Sequence, residues 1–551
     1  MSESTFDPWK RVDELLARYG DEQASVAELL CDRYPADTVA YTVVAPDLSQ
    51  QVLTHGELRE SSERFAAALA DLGVRQGDRV ATLMGKSAEL LVTLLGIWRL
   101  GAVQVPLFTA FAPNTIATRL SDSGAKVVVC DQEQRPKLAV ATPGTVAGTR
   151  QIVVAGKPQQ LTDLAFDDLL ARHNLGFEAV ALDSDAPLMQ MYTSGTTGLP
   201  KGLLVPKRAL AAFHAYMEFA LDLRSDDVFW NAADTAWGYG LHFGIVGSLC
   251  AGVPSVLLQG GFSAETTFAV LSKLGVTNYT AAPTVYRALR GSGIEVPADL
   301  RLRRASAAGE PLTPEVNQWA EQALGVRVHD HYGQTETGML INNHHHPALR
   351  RPLRPGSMGH PMPGWKAEVL YDDRDEPAPR GTVGRIAFDL VGSPLAWFTG
   401  YLGRPEKTAE KFTRNGRWYL TGDAGTVDED GYFHFLSRDD DLIIMAGYRI
   451  GPFDVESVLL THPAVAEAAV IAAPDQLRGE VLEAYVVLRD GHTDSPELAE
   501  ELQQLVKSEY AAHAYPRQVH FTSALPKTPS GKIKRNALRQ RRRAELEAAL
   551  S

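Results

Sequence analysis

The sequence predicts an α/β protein: a large N-terminal part followed by a small α+β domain. The large part combines two doubly wound βα subdomains with a β-rich subdomain. Three observations predict this. Strand-like and helix-like apolar runs alternate from residue 79, and the alternation restarts near residue 228. From about residue 356, glycine and proline punctuate short strand-like stretches. Near residue 441 the pattern changes again, which marks the C-terminal domain.

In the first unit, RVATLM (79–84) is a strand, SAELLVTLLGIWRLG (87–101) a helix, VQVPL (103–107) a strand, NTIATRLSDSGA (114–125) a helix and KVVVCD (126–131) a strand. The second opens with VFWNAAD (228–234) and continues through helix HFGIVGSLCAG, strand PSVLLQ, helix SAETTFAVLSKLG and strand TNYTAAP. Strand RRASAAG (303–309), helix TPEVNQWAEQALG (313–325) and strand VRVHDHYG complete it, with Thr313 expected to cap and Pro314 suited to the first turn. Parallel sheets carry function at strand carboxyl ends, where AAGEP (307–311) and DHYGQTETG (330–338) both fall. The β-rich stretch runs to RDDD (438–441). The tail predicts strands AVAEAAVIAA and EAYVVL and a helix from about Ser495 to Ala512.

Composition narrows the function. A formal charge of −13 argues against general polyanion binding, so nucleic acid is not an expected partner. Cys31, Cys130 and Cys250 are far apart and lack CxxC spacing, which indicates neither a disulfide framework nor a thiolate zinc site and fits a reducing cytoplasm. The opening MSESTFDPWK lacks the pattern of a secretory leader, and the most apolar run, LLVTLLGIW (90–98), is too short to span a bilayer. A soluble, cytoplasmic protein is expected.

YTSGTTGLPKG (192–202) invites comparison with a Walker loop. Counting from Gly195, Pro200 stands where the second glycine belongs and Gly202 where the hydroxyl belongs. LLVP follows rather than a helix, so the setting is strand–loop–strand; threonine hydroxyls, backbone N–H groups and Lys201 can still meet phosphate oxygens there. Three more segments bear on it: HYGQTETG with Glu336, YLTGDAG (419–425) with Asp423, and PKTPSGKIKR (526–535) with Lys532. Each is unremarkable alone, as a solvated glutamate, a turn aspartate and a basic loop.

In this order the segments resemble the adenylate-forming superfamily of acyl-CoA synthetases, nonribosomal peptide adenylation domains and luciferases, over essentially the whole chain. YGQTETG, TGD, AGYRIGPFDVES (446–457) and PKTPSGKIKR look most like short- and medium-chain acyl-CoA synthetases. The resemblance implies an AMP-forming acid–CoA ligase with ATP, Mg2+ and coenzyme A. A carboxylate would have to expel oxide; attack on the α-phosphate of ATP releases pyrophosphate and supplies AMP as leaving group for the CoA thiol. Protein groups then mainly position and neutralise charge.

Carried onto matching positions, the resemblance implies that Thr193, Ser194, Gly195, Thr196, Thr197 and Lys201 cradle the β- and γ-phosphates. Thr335 meets the α-phosphate, Glu336 holds Mg2+, and Lys532 bridges the acid and the α-phosphate. Gly309, Glu310 and Pro311 line the adenine site and Tyr332 packs on the base, with Asp330 and His331 also counted as cofactor-binding; Asp423 accepts from the ribose hydroxyls beside Arg438. It also implies an adenylation domain at 1–439 and a mobile domain at 440–551 that rotates about Asp440, bringing Gly447, Tyr448 and Arg449 to the site for thioester formation. Ser437 departs from the glycine often found before the arginine. Adjacent His344, His345 and His346 cannot easily face one ion, and no metal is assigned there.

Strict acetate enzymes of the family carry tryptophan immediately before QTE, where this chain has Gly333; Gly238 and Ala308 stand where they carry valines. With Trp237 and Tyr239 as aromatic walls, the expectation is a long or wide apolar pocket and a medium-chain or bulky hydrophobic acid, fatty or specialised. The alternatives are transfer to a carrier-protein thiol or an amine, and a non-catalytic sensor. The chain is compatible with a homodimer, and Lys532 resembles a site silenced by lysine acylation, which removes its charge.

Overall fold

The computed structural model describes residues 6–139, 151–193, 201–439, 441–445, 448–475, 479–511, 514–528 and 533–550. Helix Ala88–Arg99 shows how the first unit is built: Ser87 accepts from the Leu90 N–H at its start, and Glu89 alone of its residues is not buried. A helix apolar on all sides must be packed on all sides. Its four leucines, isoleucine and tryptophan each contribute about 1.5–3 kcal/mol of burial. Arg99 is tolerated inside because both of its terminal nitrogens donate to Asp32.

This helix belongs to a seven-stranded sheet in the order Leu164–Ala165, Gln151–Ala155, Val127–Asp131, Arg79–Leu83, Val103–Pro106, Pro187–Thr193 and Lys201–Pro206. All neighbours are parallel except the last pair. Thr193 faces Lys201 in that antiparallel register, so the strands on either side of residues 194–200 are hydrogen-bonded neighbours; the expected loop itself lies outside the described residues.

The second sheet departs from expectation in two ways. Its six parallel strands are Val328–Gln334, Arg304–Ala308, Asn278–Ala281, Phe229–Asn231, Ser255–Leu258 and Val39–Val44, so the chain's opening strand joins the second unit before the first is built. The β-rich stretch is also continuous with it. Antiparallel strands Gly338–Asn342 and Ser357–Pro361 extend the sheet to Phe433–Arg438, Trp418–Val427, Gly384–Asp389 and Ala367–Leu370, and Gln50–Thr54 pairs antiparallel with Val39–Val44 at the other edge, thirteen strands in one path. Pro314 occupies the first turn of helix Pro314–Ala323 as expected, but Thr313 makes no side-chain cap and is instead buried.

The C-terminal residues form their own sheet, Tyr448–Ile450, Ile443–Met445, Gly479–Leu488 and Val465–Asp475, with Gln518–Phe521 parallel to Gly479–Leu488. Helices Pro452–Leu459, Pro496–Glu509 and Arg535–Leu550 accompany it, around a separate apolar core that includes Ile443, Val455, Val470 and Leu502.

Candidate active site

The motif residues gather where the long sheet passes from parallel to antiparallel strands. Ala308 pairs with His331, so Gly309–Pro311 leaves one strand's carboxyl end beside the strand carrying Tyr332 and Gln334. Asp423 and Arg438 are register partners on neighbouring antiparallel strands. The Asp423 carboxylate, 3% exposed, accepts from Arg438 Nη1 at 2.9 Å, from Gln334 Nε2 at 2.8 Å and from the Tyr332 hydroxyl. A buried carboxylate needs such donors, each worth about 1.5–3 kcal/mol.

Glu336, also buried, accepts from the Tyr401 hydroxyl at 2.6 Å. Lys201 Nζ lies 4.7 Å above the Tyr401 ring, and the Leu402 N–H donates to the Gly202 carbonyl, so the strand leaving the glycine-rich hairpin is tied to the cover over Glu336. The Thr193 hydroxyl is buried without a partner among the described residues. An orphan oxygen at the hairpin mouth and a nearby carboxylate are the hard donors that Mg2+ or phosphate-bound water takes, so these residues fit that ion.

Other positions are more constrained than expected. Gly309 has φ +96° and open space where a side chain would stand, as a close-approaching ligand requires. The Glu310 carboxylate is held by the Thr284 hydroxyl and by Arg287 at 2.7 Å, which leaves its backbone to face the cleft. His331 is turned into the core: Nδ1 accepts from the Tyr216 hydroxyl, Nε2 donates to the Asn343 carbonyl, and burial keeps the ring neutral. Its backbone, not its imidazole, is available to a nucleotide. Asp330 is buried beside the Leu312 N–H, and burial pushes its carboxyl up to about 8.

Of the residues expected at the acyl wall, Gly238 lies against the Thr335 side chain. A Cβ on Gly238 would lie 3.5 Å from Thr335 Oγ1 and 3.7 Å from the His242 ring, ordinary contact distances. Trp237 packs on Phe108 with centroids 5.5 Å apart, and Tyr239 packs against Phe243 at 5.9 Å. Ala308 is buried. Gly333 requires a correction. A Cβ there would fall 2.2 Å from the Gly338 carbonyl oxygen and 2.7 Å from Met339 Cα, at a register shift in the strand pair. The volume an indole would claim is occupied by neighbouring backbone, so the missing side chain leaves no open pocket.

His329, His331 and His345 bring their ligating atoms within 4.8 Å of one another. The Asn343 carbonyl accepts from both His329 and His331, and the rings of His329 and His345 stack at 3.5 Å and 13°, so they do not converge on an ion. His345 donates to the Ala305 carbonyl while His346 packs on Phe6, as the crowding of adjacent histidines requires. Ser194, Gly195, Thr196, Thr197, Asp440, Gly447 and Lys532 lie outside the described residues, and Tyr448 and Arg449 are described only as backbone of a short strand. Sequence reasoning missed Tyr401, Lys411 and Gln334; only Gln334, inside YGQTETG, carried a signal that could have found it.

Strand-end loops beside a buried carboxylate–guanidinium pair, a second buried carboxylate and the paired strands that carry Thr193 and Lys201 define a nucleotide-binding protein of the doubly wound class. A family profile described as AMP-binding enzyme matches residues 28–402, and one described as AMP-binding enzyme C-terminal domain matches 454–532. The chain belongs to this adenylate-forming superfamily, in its acyl-CoA synthetase branch. It is 38% identical to an acetyl-coenzyme A synthetase of Bacillus subtilis over 88% of this chain and 84% of that one. Among solved structures, a Brucella canis acyl-CoA synthetase is 44% identical with TM-score 0.76 over 98% of both chains. An anthranilate CoA ligase in complex with anthranoyl-AMP is 29% identical with TM-score 0.86 over 96% of this chain and 98% of that one. The described residues contain no helix long and apolar enough to cross a membrane.

Proposed function

We propose that this protein activates a medium-chain or bulky hydrophobic carboxylic acid with ATP and transfers the acyl group to coenzyme A. The observation that carries the reading is the convergence of Arg438 and Gln334 on the buried Asp423, with Thr335 and Glu336 following Gln334 directly and a Cβ on Gly238 falling 3.5 Å from Thr335 Oγ1, which supports a nucleotide site adjoining the expected acid site. Asp423 would accept from the ribose hydroxyls. Thr335 would donate to the α-phosphate, where the acid's carboxylate attacks. Glu336 would hold Mg2+ with the Thr193 hydroxyl nearby, and the bound ion would neutralise charge on the departing pyrophosphate. Lys201 and Lys532 would contribute cations, and 1–439 and 440–551 would move relative to one another about Asp440.

The relatives named for acetate and anthranilate bracket acid size widely. The absence of a side chain at Gly238, where a Cβ would already touch Thr335 and His242, and the rings of Trp237, Phe108 and Tyr239 favour the bulkier end. Each buried methylene adds about 0.8 kcal/mol, so preference should climb with chain length until the pocket is full. Acid-dependent ATP–pyrophosphate exchange, followed by thioester formation across a panel from acetate to aryl and polycyclic acids, tests the reading. Exchange with acetate alone would overturn the substrate class, and adenylate formation without thioester would shift the acceptor to a carrier thiol or an amine.

A further inference from the structure

Lys411 follows helix Pro405–Ala409, and its carbonyl accepts from the Leu420 N–H, which ties it to the strand leading into Asp423. Its ammonium donates to the Thr421 carbonyl at 2.9 Å and approaches that of Leu420 at 3.5 Å, with the Tyr419 ring 5.5 Å away. A Cβ on Gly422 would lie 3.6 Å from Lys411 Nζ and 3.3 Å from Arg438 Nη2, so two cations flank the glycine before Asp423. Asp423 is already neutralised by Arg438, and Lys411 has no carboxylate at ion-pair distance among the described residues.

The charged groups facing Lys411 are Glu336 and Asp423 on the attractive side and Arg438 and Lys201 on the repulsive side. A half-buried ammonium held mainly by carbonyls, beside two further cations, is costly unless an anion completes it. We propose that Lys411 is a nucleotide-binding residue that donates to a phosphate of ATP from the floor between Asp423 and Glu336. This rests on the ATP-dependent reading above. None of the sequence motifs contains Lys411; the turn after a short helix brings it in. Burial lowers its pKa, so an incoming phosphate should restore its proton.

The test is calorimetric binding of ATP, AMP and adenosine to the full chain, without acid or CoA, at alkaline pH in two buffers of different ionisation enthalpy. Wild type should take up a fraction of a proton with ATP and none with adenosine. Lys411→Met should weaken ATP binding roughly ten- to hundredfold, leave adenosine unchanged and abolish the uptake, while Lys411→Arg should restore most of the affinity. Unchanged ATP affinity in Lys411→Met, or equal weakening of ATP and adenosine with a lowered Tm, would overturn the assignment. Wild type that binds no ATP would instead overturn the nucleotide reading, and this inference with it.

Discussion

Asp423 draws three donors onto one buried carboxylate, and each is supplied by a residue distant in sequence or on another strand. Asp423→Asn replaces one acceptor oxygen by a donor facing Arg438 or Gln334. ATP and adenosine affinities should fall together by about ten- to hundredfold, read by calorimetry. Unchanged adenosine binding would remove Asp423 from the ribose site. That shared loss contrasts with the phosphate-only effect expected at Lys411. The motif TGD made Asp423 legible in the sequence; its partners Gln334 and Tyr332 became visible as partners only once two sheet segments were joined.

Among the elements, the strand pair Val328–Gln334 and Gly338–Asn342 decides what glycine means in YGQTETG. Gly333 is small because backbone crosses its side-chain position, whereas a Cβ on Gly238 would meet the Thr335 and His242 side chains only at ordinary contact distance. Gly333→Ala should therefore lower Tm and depress activity toward all acids alike, since a Cβ cannot fit without moving the strand. Gly238→Val should leave Tm nearly unchanged and cut kcat/KM for the longest accepted acids about tenfold more than for short ones. Thermal melts with a two-acid kinetic comparison separate these outcomes. An alignment argument treats the two glycines as equivalent. A close approach across a register shift distinguishes them, and no local pattern encodes it.

For the whole molecule, the buried histidines link stability to pH. Burial lowers His329 to about 4 and His344 to about 3, and holds His331 and His345 well below their ordinary value. Below about pH 6.5 the unfolded chain binds protons that the folded histidines refuse, so their contribution to stability is full above that pH and falls as pH drops toward 4, opposed in part by Asp330, whose raised carboxyl is protonated first in the folded chain. His329 alone should account for about 3 kcal/mol across the window. Urea midpoints between pH 7.5 and 4.5 should decline, and His344→Leu should decline less steeply. The two-part organisation carries another prediction: Lys532→Ala should abolish pyrophosphate exchange while sparing thioester formation from supplied acyl-adenylate. Equal loss of both half-reactions would refute that division of labour.

The sequence by itself determined the superfamily, the alternating βα units and the paired strands that flank the glycine-rich segment, because these depend on periodicity and on motifs of a few adjacent residues. It did not reveal that the opening strand belongs to the second sheet, that the β-rich stretch continues that sheet, or that His331 points into the core. Tertiary structure decided those, and with them Tyr401 over Glu336 and Lys411 beside Asp423. The physical reason is range. Backbone periodicity is written locally, but the solvation of a buried charge depends on groups that only the folded sheet brings within a few ångströms.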